Sequence, residues 1–268
     1  MNDLKRPTTA STTTDDQSTP PVKRRTPAGR RTGTPSVQNS AQRIDQQLRD
    51  SIMNPVQLDP DLMPYLHVDP DHGPVLHHPL VVQSHLHPCG YGLVNHSYRR
   101  KREVLQTALQ AHDWGNYIWL HERPYRLDAL HECIGKGLCG KEYWEMVGDV
   151  WTACENIHQN LSLWRTTWQS REPGREHAMT DEEYKAHGCL GDETTVWRGT
   201  AHRRSIQGLS WTTDKAKAEW FARRFPAYGA PLLATGTVKR EDVLATILRR
   251  DEHEVVCQKV TVTEVQGL

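Results

Sequence analysis

Three short runs in the last third of the chain carry polar side chains where a buried strand would ordinarily carry apolar ones. They are Val196-Trp197-Arg198-Gly199, Gly208-Leu209-Ser210-Trp211-Thr212-Thr213 and Asp251-Glu252-His253-Glu254-Val255-Val256. A guanidinium is a planar fork of donors suited to paired, charge-assisted bonds with a phosphate. A fixed carboxylate stabilises a positive charge that develops during a reaction. If the three runs are paired strands, Arg198, the hydroxyls of Ser210 and Thr212, and the carboxylates of Glu252 and Glu254 converge. That set suits an anionic ligand and a transient cation. Strand alternation puts Ser210 and Thr212 on one face and Trp211 behind it. Gly199 would let a ligand approach the backbone closely. His253 is expected in solvent and Cys257 in the core.

The elements that must hold these groups follow from periodicity and capping. Residues 194–198, 232–238, 243–248 and 254–262 read as strands. Asp214 is placed to cap a helix whose buried face is Ala218, Phe221, Ala222 and Phe225. Residues 190–268 are therefore expected to form an antiparallel β-rich module with a packed helix. Residues 97–189 read as a helical region, which makes the fold class α+β. Within it, 98–112 would begin on Arg99, Arg100, Lys101 and Arg102, a charge pattern that opposes the helix dipole. Asp113 is a cap for the next helix, and 125–133 is another. The strongest helical signal is 141–168, where Trp144, Val147, Trp151, Cys154, Ile157 and Leu161 recur at spacings of three or four. Such a stripe is core; Glu155 and Asn156 beside it could reach a neighbouring site. Thr180 followed by Asp181, Glu182 and Glu183 is an N-cap with an acidic first turn. Gly135, Gly137 and Gly140 do not make a phosphate loop, because no Lys-Ser/Thr follows and no strand precedes.

The first part of the chain is different in kind. Only 36% of residues are hydrophobic and the mean hydropathy is −0.72, so part of the chain should lie outside any core. Residues 1–55, rich in Thr, Ser, Pro, Gln and Arg, read as a disordered tail, with a short helix at 41–52. Residues 56–96 read as an extended Pro- and His-rich arm anchored by Pro79, Leu80, Val81 and Val82. His85, His87 and Cys89 share one face of an extended segment, but no second cluster has ligand spacing, so no metal is expected. Lys plus Arg (33) equals Asp plus Glu (33), which excludes a global basic field. The basic tail and the Arg99 cluster leave a nucleic-acid tether open. Cysteines without paired spacing, and the lack of a long apolar run, suggest free thiols, no membrane span and a cytoplasmic protein.

An arginine on one strand, Ser-x-Thr on a later one and Glu-x-Glu opening a third resemble the R-S-E signature of toxin-type mono-ADP-ribosyltransferases. The resemblance covers roughly residues 190–262. Upstream, Leu120 to Arg126 and Val150 to Ile157 are similar to uncharacterised phage and actinobacterial proteins that join a helical region to this module. The resemblance implies that NAD is a substrate, that Arg198 holds its phosphates and the ribose near them, with Gly199 beside it in the cofactor site, and that Ser210 positions the last glutamate and contacts the nicotinamide ribose. Thr212 would support the pocket wall. Glu254 would bond the ribose and stabilise the cation as nicotinamide leaves, and Glu252 would orient or deprotonate the acceptor, with arginine on a protein first in line. The alternatives are an inactive binding module, a nucleic-acid-directed enzyme and an NAD glycohydrolase. The gap from Arg198 to Ser210 is shorter than in most members of that family.

Overall fold

The computed structural model describes Gln46, Arg49 and residues 56–268 apart from Asn156, Phe225, Pro226 and Tyr228. The expected tail and the helix at 41–52 lie outside the described residues except for Gln46 and Arg49, as do the roles given to Asn156 and Phe225. Residues 56–268 belong to one compact unit that begins at Gln47.

Residues 56–96 do not run as a bare extended arm. They make a small antiparallel meander of β1 (Leu66–Asp69), β2 (Gly73–His78) and β3 (Val81–Gln83). Asp69 accepts the amides of Asp71 and His72 and turns the chain, and Gly73 completes the turn at φ 67°. Leu76, Leu80 and Val81 pack with Leu58, Leu62 and Leu86 against Val94 and Tyr98 of helix α1 (Tyr91–Gln110). Among the described residues no group of three or more His, Cys, Asp or Glu is arranged to hold a metal ion.

Helix α1 starts at Tyr91, so the basic cluster sits inside it rather than at its N-terminus, and the expected conflict with the dipole does not arise. The cluster is instead met by carboxylates of the same chain. Arg99 pairs with Asp59 at 2.9 Å, Arg102 with Asp61 at 2.6 Å and Lys101 with Glu122 at 2.9 Å. Helices α2 (Trp114–Leu120) and α3 (Arg126–Gly135) follow, the first capped by Asp113.

The run 141–168 is not one helix. It is α4 (Gly140–Ala153) and α5 (Leu161–Trp168), broken by an extended Cys154 and a short 3-10 turn at Ile157–Asn160. The apolar spacing continues across the break because both helices face the same core. Trp144, Trp151, Trp164 and Trp168 are fully buried there, with Trp151 edge-on to Trp164 at 4.9 Å between ring centroids. The same cluster takes in Leu244, Ile247 and Val256 from the sheet, so helices and sheet share one core.

Helix α6 (Asp181–Gly188) opens on a reciprocal capping box between Thr180 and Glu183. Beyond it lie β4 (Glu193–Thr200), β5 (Ser210–Thr212), α7 (Lys215–Arg223), β6 (Leu232–Lys239), β7 (Val243–Ile247), β8 (Glu254–Cys257) and β9 (Thr261–Gly267). They form one antiparallel sheet in the order β7-β8-β5-β4-β6-β9. The expected closing strand 254–262 is therefore two strands. After Cys257 the chain leaves the buried middle of the sheet and crosses to its far edge. Among the described residues no helix is long and apolar enough to cross a membrane, and the six cysteines are unpaired.

Glu183 reaches beyond its cap. Its carboxylate accepts the amides of Leu248 (2.7 Å) and Arg249 (3.2 Å) and the Arg249 Nε (3.2 Å), so it pins the loop between β7 and β8. Burial alone would raise its pKa. The Thr180 and Leu248 amides and the Arg249 charge outweigh burial, and the net shift is downward. A depressed carboxyl pKa stabilises the fold above the unfolded value, near ~4.3, and that contribution is lost as pH falls through the folded value. Glu183→Gln is expected to lower stability near neutral pH by about 1–3 kcal/mol. The gap from wild type should narrow on acidification towards about pH 3, in urea titrations at both pH values. An unchanged gap would show that the Glu183 charge does not hold the loop.

Candidate active site

The three polar runs occupy adjacent strands. Trp197 lies opposite Thr212, Thr212 opposite Glu254 and Glu254 opposite Ile247, a row running across β4, β5, β8 and β7. Residues opposite one another in an antiparallel pair share a face. This row is therefore on the side of the sheet where Ile247 joins the helical core. Trp211 and Val255 fall on the other side in a separate cluster with Val196 and Ala234. Trp211 packs behind the strand as expected, 3% exposed, with its indole N–H on the Gly208 carbonyl at 3.0 Å. Cys257 is buried in that cluster too, and burial raises its thiol well above the usual range.

Arg198, Gly199, Ser210, Thr212, Glu252 and Glu254 all line one cavity of about 200 Å³. The opposite wall is the break between α4 and α5, with Cys154, Glu155, Ile157 and His158, and a third wall is Phe221 and Arg224 of and beside α7. The helix break that periodicity conceals is thus what brings Glu155 and His158 to the sheet.

Arg198 is fixed by neutral acceptors rather than by a carboxylate. Its Nε donates to the Ser205 carbonyl at 2.7 Å, its Nη1 to the Ser210 carbonyl, and its Nη2 meets His158 Nε2 at 2.7 Å. Burial pulls the guanidinium pKa down to about 10, and nearby Glu254 opposes the shift. It stays fully charged at neutral pH. Its charge therefore requires the His158 nitrogen that faces it to accept, which makes that imidazole neutral. Desolvation and then Arg198 push the His158 pKa in the same downward direction. Among the described residues three of the five N–H donors of the guanidinium are engaged.

Gly199 and Gly208 are needed for this arrangement. A Cβ on Gly199 would lie 1.7 Å from the Ala218 carbonyl, so the close approach there is made by α7. A Cβ on Gly208 would lie 2.4 Å from Arg198 Nη2.

The Thr212 hydroxyl is also committed. It donates to the Glu252 carbonyl at 2.7 Å and accepts the Asp214 amide at 3.0 Å, tying the loop of the acidic motif to the start of α7. Thr212→Val is expected to lower stability by about 1–3 kcal/mol by leaving those backbone groups unpaired. Amide exchange at 252–254 should quicken, and Thr212→Ser should restore both readings.

Ser210 does not hold Glu254. The group that does is Arg250, which pattern reasoning missed. Its Nη2 lies 3.1 Å from Glu254 Oε2 and 3.1 Å from Glu252 Oε2. Its Nη1 donates to the Thr152 carbonyl at 3.2 Å and the Cys154 carbonyl at 3.3 Å. Its place four residues before Glu254 was visible, but a single loop arginine carries no periodic signal. Glu252 lies in the loop before β8 rather than in the strand, with Asp251 and His253 at φ 53° and 45° on either side. His253 is exposed, as expected. Burial raises the Glu252 carboxyl pKa against the lowering effect of Arg250.

Glu254 is 2% exposed, and its Oε1 has no hydrogen-bond partner among the described residues. A buried carboxylate oxygen without a donor costs free energy unless a ligand group supplies one. The site therefore offers an anchored guanidinium with spare donors, a carboxylate with a spare acceptor and a second carboxylate of raised pKa. The chain matches no protein-family model, no curated protein and no solved structure.

Proposed function

We propose that this chain is an NAD-dependent mono-ADP-ribosyltransferase, which moves ADP-ribose from NAD to an arginine side chain of a macromolecular acceptor and releases nicotinamide. The observation that carries the reading is the unpartnered, buried Oε1 of Glu254 in a wall shared with Arg198 and Ser210. A ribose hydroxyl is the kind of donor that oxygen requires. NAD supplies a glycosidic bond already primed by a cationic leaving group. The residues do the rest: Glu254 bonds the ribose and opposes the charge that builds on it, and the spare donors of Arg198 serve the phosphates. Ser210 borders the ribose, and Glu252, with its raised pKa, takes the acceptor proton at neutral pH.

At about 200 Å³ the cavity is smaller than the roughly 300–1,000 Å³ of sites that enclose a whole ligand. A cavity of this size encloses one end of a dinucleotide and leaves the other outside. The test is nicotinamide release by the purified full chain given NAD with agmatine, polyarginine or a cell lysate. Release that depends on Glu254 supports the reading. No release with any of these acceptors overturns it.

A further inference from the structure

His158 joins the proposed NAD site to the helical region, and the inference drawn from it rests on the transferase reading. The three acceptors of Arg198 are all neutral: the Ser205 and Ser210 carbonyls on the sheet side, and His158 Nε2 at 2.7 Å on the facing wall. The turn that carries His158, Ile157–Asn160, is tied down on both sides. Arg123 pairs with Glu155 ahead of it, and Arg165 of α5 donates to the Gln207 carbonyl at 2.6 Å, in the same short turn as Ser205. His158 itself is exposed, so its ring has room to turn and is open to protons.

The other charges around the imidazole are already engaged. Glu155 has Arg123, and Glu252 and Glu254 share Arg250. Arg224, which lines the same cavity, lies over the Trp220 ring at 5.2 Å. Burial pushes the Cys154 thiol up to about 11, so it stays neutral. A pyrophosphate carries negative charge on each phosphate, and Arg198 answers it with a single positive charge. Burial and the Arg198 charge both disfavour a proton on His158. An anion set against the two side chains favours that proton instead.

We infer that His158 is a phosphate ligand: it takes up a proton as the NAD pyrophosphate binds and becomes the second cation beside Arg198. As an imidazolium, Nε2 donates to a phosphate oxygen where it otherwise accepts from Nη2, and Nη2 turns its donor to the same anion. One proton leaves solvent and one imidazolium forms. A base whose pKa is higher in the bound than in the free protein strengthens binding as pH falls through the bound value, and the gain is complete below the free value. NAD affinity therefore rises on acidification across the histidine range, around ~6.5.

The experiment titrates the full chain with NAD by calorimetry between about pH 5.5 and about pH 8, without acceptor, in two buffers of different ionisation enthalpy. Affinity is expected to rise by up to about tenfold per pH unit on acidification, with proton uptake approaching one per NAD. His158→Gln keeps an acceptor for Arg198 but cannot be protonated. It should lose the histidine's share of the uptake and flatten the pH dependence, with circular dichroism showing that it is folded. Glu252, whose raised pKa can add uptake of its own, is the same in both proteins and cancels in the comparison. Nicotinamide riboside, which lacks the pyrophosphate, should bind without this uptake. The His158 ring signal in NMR should move to the imidazolium position when NAD is added near neutral pH, a reading that needs no variant. Equal proton uptake by wild type and His158→Gln, or a wild-type affinity that falls on acidification, overturns this inference and leaves the transferase reading standing. No NAD binding at any pH overturns the transferase reading and this inference with it.

Discussion

Replacing Glu254 by Gln is expected to slow nicotinamide release by about 10²–10³-fold, the usual cost of removing a preorganised electrostatic stabiliser. Gln has nearly the same shape, and its carbonyl oxygen can keep the bond from Arg250. What it loses is the charge that, in the proposed reaction, faces the ribose as nicotinamide departs. The fold should survive. Arg250 retains Glu252 and the Thr152 and Cys154 carbonyls, so no guanidinium is stranded. The cost to stability is about 1–3 kcal/mol at most, read by denaturant titration. The variant should still bind NAD, because uniform binding and stabilisation of the developing cation are separate contributions. A folded Glu254→Gln protein that releases nicotinamide at the wild-type rate would remove Glu254 from the chemistry.

The neighbourhood of Arg198, Ser210 and Glu254 was legible because each motif lies on its own short strand. Antiparallel pairing of those strands leaves few ways to arrange them, and the observed β4-β5-β8 adjacency is one of these. Capping was legible for a similar reason: Asp113, Thr180 and Asp214 each accept an amide of the helix they precede, a local interaction that needs no tertiary information. What did not show was anything decided at long range. Apolar spacing runs on through 141–168 because α4 and α5 bury the same side, so the turn at Ile157–Asn160 leaves no mark on the period. The β character of 254–262 does not reveal that Cys257 lies on an interior strand and Thr261 on the edge strand β9. The basic cluster looked like a helix start because Gly90, Gly92, Asn95 and His96 are poor helix formers. Contacts such as Asn95 with the Asp59 amide and the Gln57 carbonyl accompany the extra turns. Arg250 and His158 came to the site by the same route, as loop residues placed by the packing of others.

Gly199→Ala is expected to destabilise the protein by about 3 kcal/mol, at the upper end of the cost of overpacking. The added carbon would fall 1.7 Å from the Ala218 carbonyl oxygen and 2.5 Å from the Ala222 amide nitrogen. Both are backbone atoms of α7, so no side-chain rotation can relieve the clash. The helix itself must move off β4, and with it Ala218 and Phe221, which wall the cleft. Stability and nicotinamide release should therefore fall together. Gly208→Ala provides the contrast. Its added carbon would meet Arg198 Nη2 at 2.4 Å and Cζ at 2.6 Å, the far end of a side chain that can swing away. The guanidinium would then leave the Ser205 and Ser210 carbonyls and His158. Here a loss of about 1 kcal/mol in stability should accompany a disproportionate loss of NAD affinity. Melting curves and NAD titrations on the two variants separate a glycine required by helix packing from one required by the arginine. If Gly199→Ala melts with wild type, α7 does not press on β4 as described. If Gly208→Ala binds NAD unchanged, Arg198 is not what holds it.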